Sequence, residues 1–374
     1  MTVVPSRSLR LLHAFANFVP GGSELRAVRL INAFGDRFSH DVLSMDGRTT
    51  AMDFVEPARR AGIRLLDPPP PAGTAQAVSW LRRLLRENDP DLLLTYGWGA
   101  FDMVMAAASL GMRRIIHHED GFNADEAKRF KRRRIWARRL LLPTTGGVIV
   151  PSRRLQAIAR RLWWQPEQRL WLIPNGIAAD RYAPTDGNAP LRARLGIPAT
   201  ARVIGTVANL RPEKNLARLV TACSALDDVH LVIVGDGPER PHLQTLTRLG
   251  KRLHLVGHHT DPRPYLRCFD IFALSSDTEQ MPLSVLEAMA CALPVVATDV
   301  GDLRTMLPPE QHPFLVALSG IADDRLADRL RWLSDAPILA RRLGEANRRH
   351  VAEHYDFSTM VGRYRDIYES ISRP

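Results

Sequence analysis

Short apolar runs alternate with stretches whose apolar residues recur every three or four positions, almost from end to end of the chain. This is the pattern of a parallel sheet covered by helices. In the first half, Leu9–Phe15, His40–Met45, Ile63–Leu66, Asp91–Tyr96, Arg114–His118 and Gly147–Val150 read as strands, with helices between them such as Ser23–Phe34 and Ala75–Glu87. The four prolines from Pro68 to Pro71 cannot lie inside a helix, because proline lacks the amide and crowds the preceding turn. They mark a stiff connection.

Periodicity breaks after Ile173-Pro174-Asn175-Gly176, and from Ala178 to Ala201 the chain gains Pro184, Asp186, Gly187, Asn188, Pro190 and Pro198, the composition of a linker. A second series follows: strands at Val203–Val207, His230–Val234, His254–Val256, Ile271–Leu274 and Pro294–Thr298, with helices from Leu216 and Leu283. From Asp323 to Ser372 the pattern is helical. The expected organisation is α/β, two Rossmann-like doubly wound domains facing a central cleft. The domains expected are residues 1–178, a linker region at 179–200, residues 201–350, and a final helix at 351–374 packing back toward the N-terminal domain. A length of 374 residues accommodates this at about 100–200 residues per domain.

Composition adds exclusions. With 45% apolar and 24% charged residues the chain has a globular make-up. Cys223, Cys268 and Cys291 are too few and too scattered for a disulfide framework or a metal knuckle, which points to a reducing compartment. No stretch reaches the roughly 18–20 apolar residues that span a bilayer. The segment Leu9–Val19 contains Arg10 and His13 and runs into Pro20-Gly21-Gly22 rather than a cleavage site, so it reads as a first buried strand and not a signal sequence. The expected location is cytoplasmic. Asp89-Pro90-Asp91 has the spacing of a metal-binding pair but falls at a helix-to-strand junction, and no metal or cofactor is expected. No glycine-rich dinucleotide fingerprint with a downstream ribose carboxylate argues for a dehydrogenase.

The most informative stretch is Ser275–Ala290. Glu279 follows a buried strand, and Glu287 lies eight residues on, in a helix opened by Pro282. Free amides near Leu283 and Ser284, with the helix dipole, make an anion site, so the two carboxylates can bracket a ligand whose middle is a phosphate. Continued through Cys291-Ala292-Leu293-Pro294 to Gly301, the stretch resembles the C-terminal signature of retaining glycosyltransferases of the family-four type (glycosyl transferases group 1), which have two Rossmann-like domains, the GT-B fold. The resemblance implies that Glu279 contacts donor-sugar hydroxyls and Glu287 holds the ribose. Met281, Pro282, Leu283 and Ser284, between the two, belong to the donor site on the same reading.

Other landmarks of that family stand in order. Gly21 and Gly22, opening a helix after the first strand, should face the donor diphosphate. Lys214 matches the family's diphosphate lysine. Asn209 occupies the usual arginine position, and Arg211 is the nearest guanidinium, so Arg211 and Lys214 are expected to share the phosphate charge. His117 and His118 end a strand where the family often carries a functional histidine; alternation sends only one into the cleft, His118 by preference. Glu119 and Asp120 are candidates for holding the acceptor hydroxyl, and Gly257 for lying beside the base. Gln280 and Asp302 replace glycines of the signature, a departure that bears on donor identity rather than reaction type.

The implied function is retaining transfer of a sugar from a nucleotide diphosphate sugar, UDP favoured and GDP next, to a hydroxyl acceptor of lipid-linked or cell-envelope kind. The rivals are a nucleotide-sugar epimerase on the same scaffold and a noncatalytic basic membrane- or nucleic-acid-binding protein. The net charge of +11 is concentrated in Lys128-Arg129-Phe130-Lys131-Arg132-Arg133-Arg134-Ile135-Trp136-Ala137-Arg138-Arg139, followed by Arg153, Arg154, Arg160, Arg161 and Trp163-Trp164. Arginine interleaved with tryptophan suits an anionic membrane interface, so peripheral docking is expected through this region. No recognition-fold signature argues for nucleic acid.

Overall fold

The computed structural model describes residues 8–71, 73–122, 126, 130–183, 188–318 and 322–372. They divide into two compact units, one running to Pro174 and resuming at Met360, the other spanning Asn175–Thr359.

The first unit is built on a seven-stranded sheet of β1 (Leu9–Phe15), β2 (Phe38–Ser44), β3 (Ile63–Leu66), β4 (Leu92–Tyr96), β5 (Ile115–His118), β6 (Gly147–Val150) and β7 (Leu170–Leu172), in the order β3-β2-β1-β4-β5-β6-β7. Every pairing is parallel, with Leu11 opposite both His40 and Leu92. Helices cover both faces, which is why the central strands are buried almost without interruption, as at Leu11, Leu12, Ala14 and Phe15. The order reverses between β1 and β4, so the crevice beyond their carboxyl ends is the topological switch point. β7 has no counterpart among the strands read from sequence, since three residues at a sheet edge, two of them half-buried, give no alternation to detect.

The second unit holds β8 (Arg202–Val207), β9 (Val229–Val234), β10 (Leu253–Gly257), β11 (Ile271–Leu274), β12 (Val295–Thr298) and β13 (Leu315–Val316), in the order β10-β9-β8-β11-β12-β13, again all parallel. Its switch point lies between β8 and β11. Adjacent residues of β8 serve opposite faces: Val203 packs with Phe272, Leu286 and Met289, and Ile204 with Leu219, Leu231 and Leu330.

The described residues of the segment 179–200 belong to the second unit rather than to a linker. Tyr182, Leu191 and Ile197 are buried in the second unit's core beside Leu266 and Phe269. Asn188 donates its side-chain amide to the Pro264 carbonyl at 3.0 Å, and Arg192 pairs with Asp270 at 3.0 Å. Pro184, Asp186 and Gly187 lie outside the described residues, Pro190 opens the short helix Ala189–Arg194, and three apolar anchors are too sparse to register as a period. The units accordingly divide at 174/175 and 359/360 rather than at 178, 200 and 350. The last helix, Phe357–Ser372, lies in the first unit from Met360 onward.

Candidate functional site

In the second unit the loops beyond β8 and β11 are laced together at the switch point. The Asp277 amide donates to the Glu213 carbonyl at 2.9 Å, and the Ser275 hydroxyl to the Lys214 carbonyl at 3.0 Å. Arg218 reaches the Ser275 carbonyl at 2.9 Å and Asp277 at 2.8 Å. Asn215, at φ 43°, caps the Leu216–Ser224 helix and also donates to Asp277. An asparagine directly before an apolar-periodic stretch is a cap signal in the sequence, and its second role in joining the loops is visible only in the fold.

This lacing fixes Lys214 against Glu279. The Lys214 ammonium lies 2.6 Å from Oε1 of Glu279, and the Ser276 hydroxyl donates to the same oxygen at 2.7 Å. The other carboxylate oxygen, Oε2, has no partner among the described residues. Arg211 is exposed one turn earlier, its guanidinium likewise without a partner among the described residues. Gly301 supports the loop from behind: it holds φ 62°, and a Cβ there would stand 2.5 Å from the Glu279 carbonyl oxygen and 2.7 Å from that of Gln280.

The Leu283–Ala290 helix starts from Pro282 with no side-chain cap. Leu283 and Ser284 are half-buried at its first turn, with amides that helical geometry leaves pointing forward. Met281 is buried just before the helix, its carbonyl taking a 2.9 Å bond from the Asn175 side chain. Glu287, one turn in, is buried and accepts from the Tyr182 hydroxyl at 3.1 Å. Asn175 and Tyr182 were not among the residues expected here. Asn175-Gly176 reads as a turn and Tyr182 as linker until the fold brings them under this helix. Gly257, ending β10 at φ 85°, has open space where a Cβ would be, while its carbonyl accepts from the Gly235 amide at 2.8 Å.

The first unit presents Gly21 as the N-cap of the Gly22–Phe34 helix, beyond β1. A Cβ on Gly22 would meet nothing within 4 Å, so packing alone does not require glycine there. The histidine pair differs from the expectation that one ring opens to a ligand. His117 and His118 are both fully buried, because β5 is central and covered on both sides. Both nitrogens of His118 are engaged, Nδ1 with the Thr95 carbonyl at 3.3 Å and Nε2 with the Tyr368 hydroxyl at 2.9 Å, and burial holds its pKa well below the ordinary value. His117 Nδ1 lies 2.9 Å from the Thr95 hydroxyl.

The two acidic residues expected to bind an acceptor are held within the same unit. Glu119 is buried and bound by Arg138 at 2.9 Å; burial alone would raise its pKa, but the Arg138 charge and the His117 contact outweigh that and lower it. Asp120 takes both ends of the buried Arg26 guanidinium, one of the bonds at 2.7 Å. Arg26 is signalled in the sequence only as a basic residue on an apolar helix face.

Two family models match the chain: Glycosyltransferase Family 4 over residues 20–181 and Glycosyl transferases group 1 over residues 201–335. The chain is 26% identical over 306 residues to the UDP-Gal:alpha-D-GlcNAc-diphosphoundecaprenol alpha-1,3-galactosyltransferase of Escherichia coli, covering 77% of each. It is 32% identical over 270 residues to a GDP-mannose-dependent alpha-mannosyltransferase of Mycobacterium tuberculosis, covering 67% of this chain and 66% of that one. Among solved structures, Anabaena HepE in complex with UDP and glucose is similar in fold, with a TM-score of 0.82 at 18% identity over 97% of this chain and all of that one.

Proposed function

The chain belongs to the family 4, group 1 glycosyltransferases, and from that membership we propose that it moves a sugar from a nucleoside diphosphate sugar to a hydroxyl of a cell-envelope glycan or glycolipid precursor. The transfer retains the anomeric configuration and needs no divalent metal. A UDP-sugar is the favoured donor and a GDP-sugar the next, in keeping with the UDP-Gal-dependent and GDP-mannose-dependent relatives.

The observation that carries this reading is the second unit's switch point, where a lysine, a half-engaged carboxylate and an uncapped helix start converge. Lys214, fixed by Glu279, and the exposed Arg211 beside it supply positive charge to a diphosphate, assisted by the amides of Leu283 and Ser284. Glu279 uses Oε1 to stay anchored and offers Oε2 to donor-sugar hydroxyls. Glu287, oriented by Tyr182, accepts from the ribose hydroxyls. The C1–oxygen bond to the diphosphate breaks as the acceptor oxygen bonds to C1 on the same face, and the acceptor proton passes to the departing phosphate oxygen. Negative charge accumulates on that leaving group, so cations fixed beforehand favour the transition state over the ground state. His117 and His118 are too deeply buried to take part by contact.

The test is thermal unfolding with UDP and with GDP, on the wild type and on Glu287→Gln. A ligand at about 100 times its Kd adds about 2.7 kcal/mol, enough to raise the midpoint by a few degrees. One nucleotide is expected to stand out, with its shift much reduced in Glu287→Gln. An undiminished shift in the variant removes Glu287 from the ribose.

A further inference from the structure

The arginine-rich run is not a uniformly solvated face. In the Arg132–Leu141 helix, Arg134 and Arg138 turn inward to Glu126 and Glu119, at 2.8 and 2.9 Å. Arg132, Arg133, Trp136 and Leu140 form the exposed stripe, at spacings of three and four residues. The helix Arg153–Leu162 ends beside it, and there the two consecutive tryptophans part company. Trp163 is fully buried, whereas Trp164 is 56% exposed at φ 57°. Arg139 ties the pieces together: its Nε donates to the Leu162 carbonyl at 2.6 Å, and its guanidinium lies over both Trp136 (4.9 Å) and Trp164 (4.2 Å). The two indoles meet edge to face at 6.1 Å.

Trp164 carries two penalties at one position. A left-handed backbone conformation is strained for a bulky side chain where glycine is free of strain, and the indole it projects is left in water. Arg139 and the edge of Trp136 cover part of the indole, and the Gln165 amide closes the helix end on the Ala159 carbonyl at 3.1 Å, yet more than half of Trp164 stays exposed. Trp136, Leu140 and Trp164 are also three of the seven large apolar side chains exposed among the described residues. Around them, Arg132, Arg133 and Arg161 are exposed and form no ion pair among the described residues. An apolar centre of indoles with an unneutralised guanidinium rim matches the chemistry of a bilayer surface: indoles settle at headgroup depth, and arginines reach phosphate while their stems lie along apolar matter.

We propose that Trp136, Leu140 and Trp164, held together by Arg139 and rimmed by Arg132, Arg133 and Arg161, form a docking face for an anionic phospholipid bilayer. Trp163, Arg134 and Arg138 take no part in it, being committed to the interior. The face is independent of the donor site, so either proposal can fail without the other.

Co-sedimentation of the full chain with phosphatidylcholine vesicles, with and without phosphatidylglycerol, tests it. Binding is expected only with phosphatidylglycerol and is expected to weaken as salt rises. Arg132→Gln with Arg133→Gln should lower the partition coefficient about 30-fold, from the usual contribution of basic residues near such a surface. Trp164→Gly removes an anchor and the strain together, so vesicle binding should fall while the thermal midpoint holds or rises. Glu287→Gln should bind vesicles as the wild type does. Equal binding to both vesicle types, or Trp164→Gly that binds as before, overturns the proposal. So does binding of a single-stranded oligonucleotide by a protein that ignores both vesicles.

Discussion

Glu279 engages two donors through a single oxygen, Lys214 and Ser276 both meeting Oε1. That arrangement orients the carboxylate and spares Oε2, and it gives Lys214 two tasks, to hold Glu279 and to present charge. Lys214→Ala should therefore lower kcat/KM for the nucleotide sugar by about 100-fold, within the usual range for loss of a charge-stabilising group. Inhibition by the free nucleoside diphosphate should weaken in parallel. Steady-state kinetics with inhibition by UDP or GDP measures both, and a kcat/KM within a few-fold of wild type would place the diphosphate elsewhere. The lysine, both glutamates and Arg211 could be proposed from spacing and from the family resemblance. Ser276, Asn175 and Tyr182 could not, because ordinary polar residues gain a role only from what folding sets beside them.

The element that matters most is the β11 loop with the helix after it. Its conformation is set by Gly301 beyond β12, by Asn175 below Met281 and by the bonds from the β8 loop. Gly301→Ala puts a methyl group against the Glu279 and Gln280 carbonyl oxygens and forces a positive φ on alanine. The expected cost is about 2–3 kcal/mol of stability together with lost donor binding. Urea unfolding of the variant measures the first, and an unchanged midpoint would refute the close packing. Gly301 stood out as part of a signature, whereas its physical task, backing the loop of the preceding strand connection, is visible only in the fold.

At the scale of the whole molecule, the first unit buries histidines that folding keeps neutral. His13, 3.0 Å from both the Tyr96 hydroxyl and His40, and His118, against Tyr368, are held well below the ordinary value of 6.5, chiefly by burial. Burial also lowers His40 to about 4. Below about pH 6.5 the unfolded chain takes up protons at these sites and the folded chain does not, so stability is full above that pH and falls as pH drops toward the folded values. Each histidine contributes a slope of about 1.4 kcal/mol per pH unit. In the second unit His230 and His254 are shifted the same way with less burial, so the first unit should respond more strongly. Calorimetry at stepped pH between about 7.5 and 5 is expected to show an early transition moving down in temperature, the His13→Phe variant moving less. A midpoint indifferent to pH across that window contradicts neutral burial.

Chain order and hydrophobic period by themselves determined the succession of strands and helices, because parallel strands buried on both faces write long apolar runs and their helices write a period near 3.6. The acidic pair proposed for the donor side was visible too, since two carboxylates about a helix start are local in sequence, and the family resemblance supplied their roles. What only the tertiary structure decided was exposure and partnership. His117, His118, Glu119 and Arg138 look like surface chemistry when read in line, yet they lie in the interior, because β5 is central and helices close over both its faces. Trp163 and Trp164 are neighbours of identical chemistry, and one backbone rotation to positive φ puts the first in the core and the second in solvent. The segment 179–200 reads as a linker because its three anchors are far apart in sequence, and it is core because the surfaces they meet come from residues more than sixty positions away.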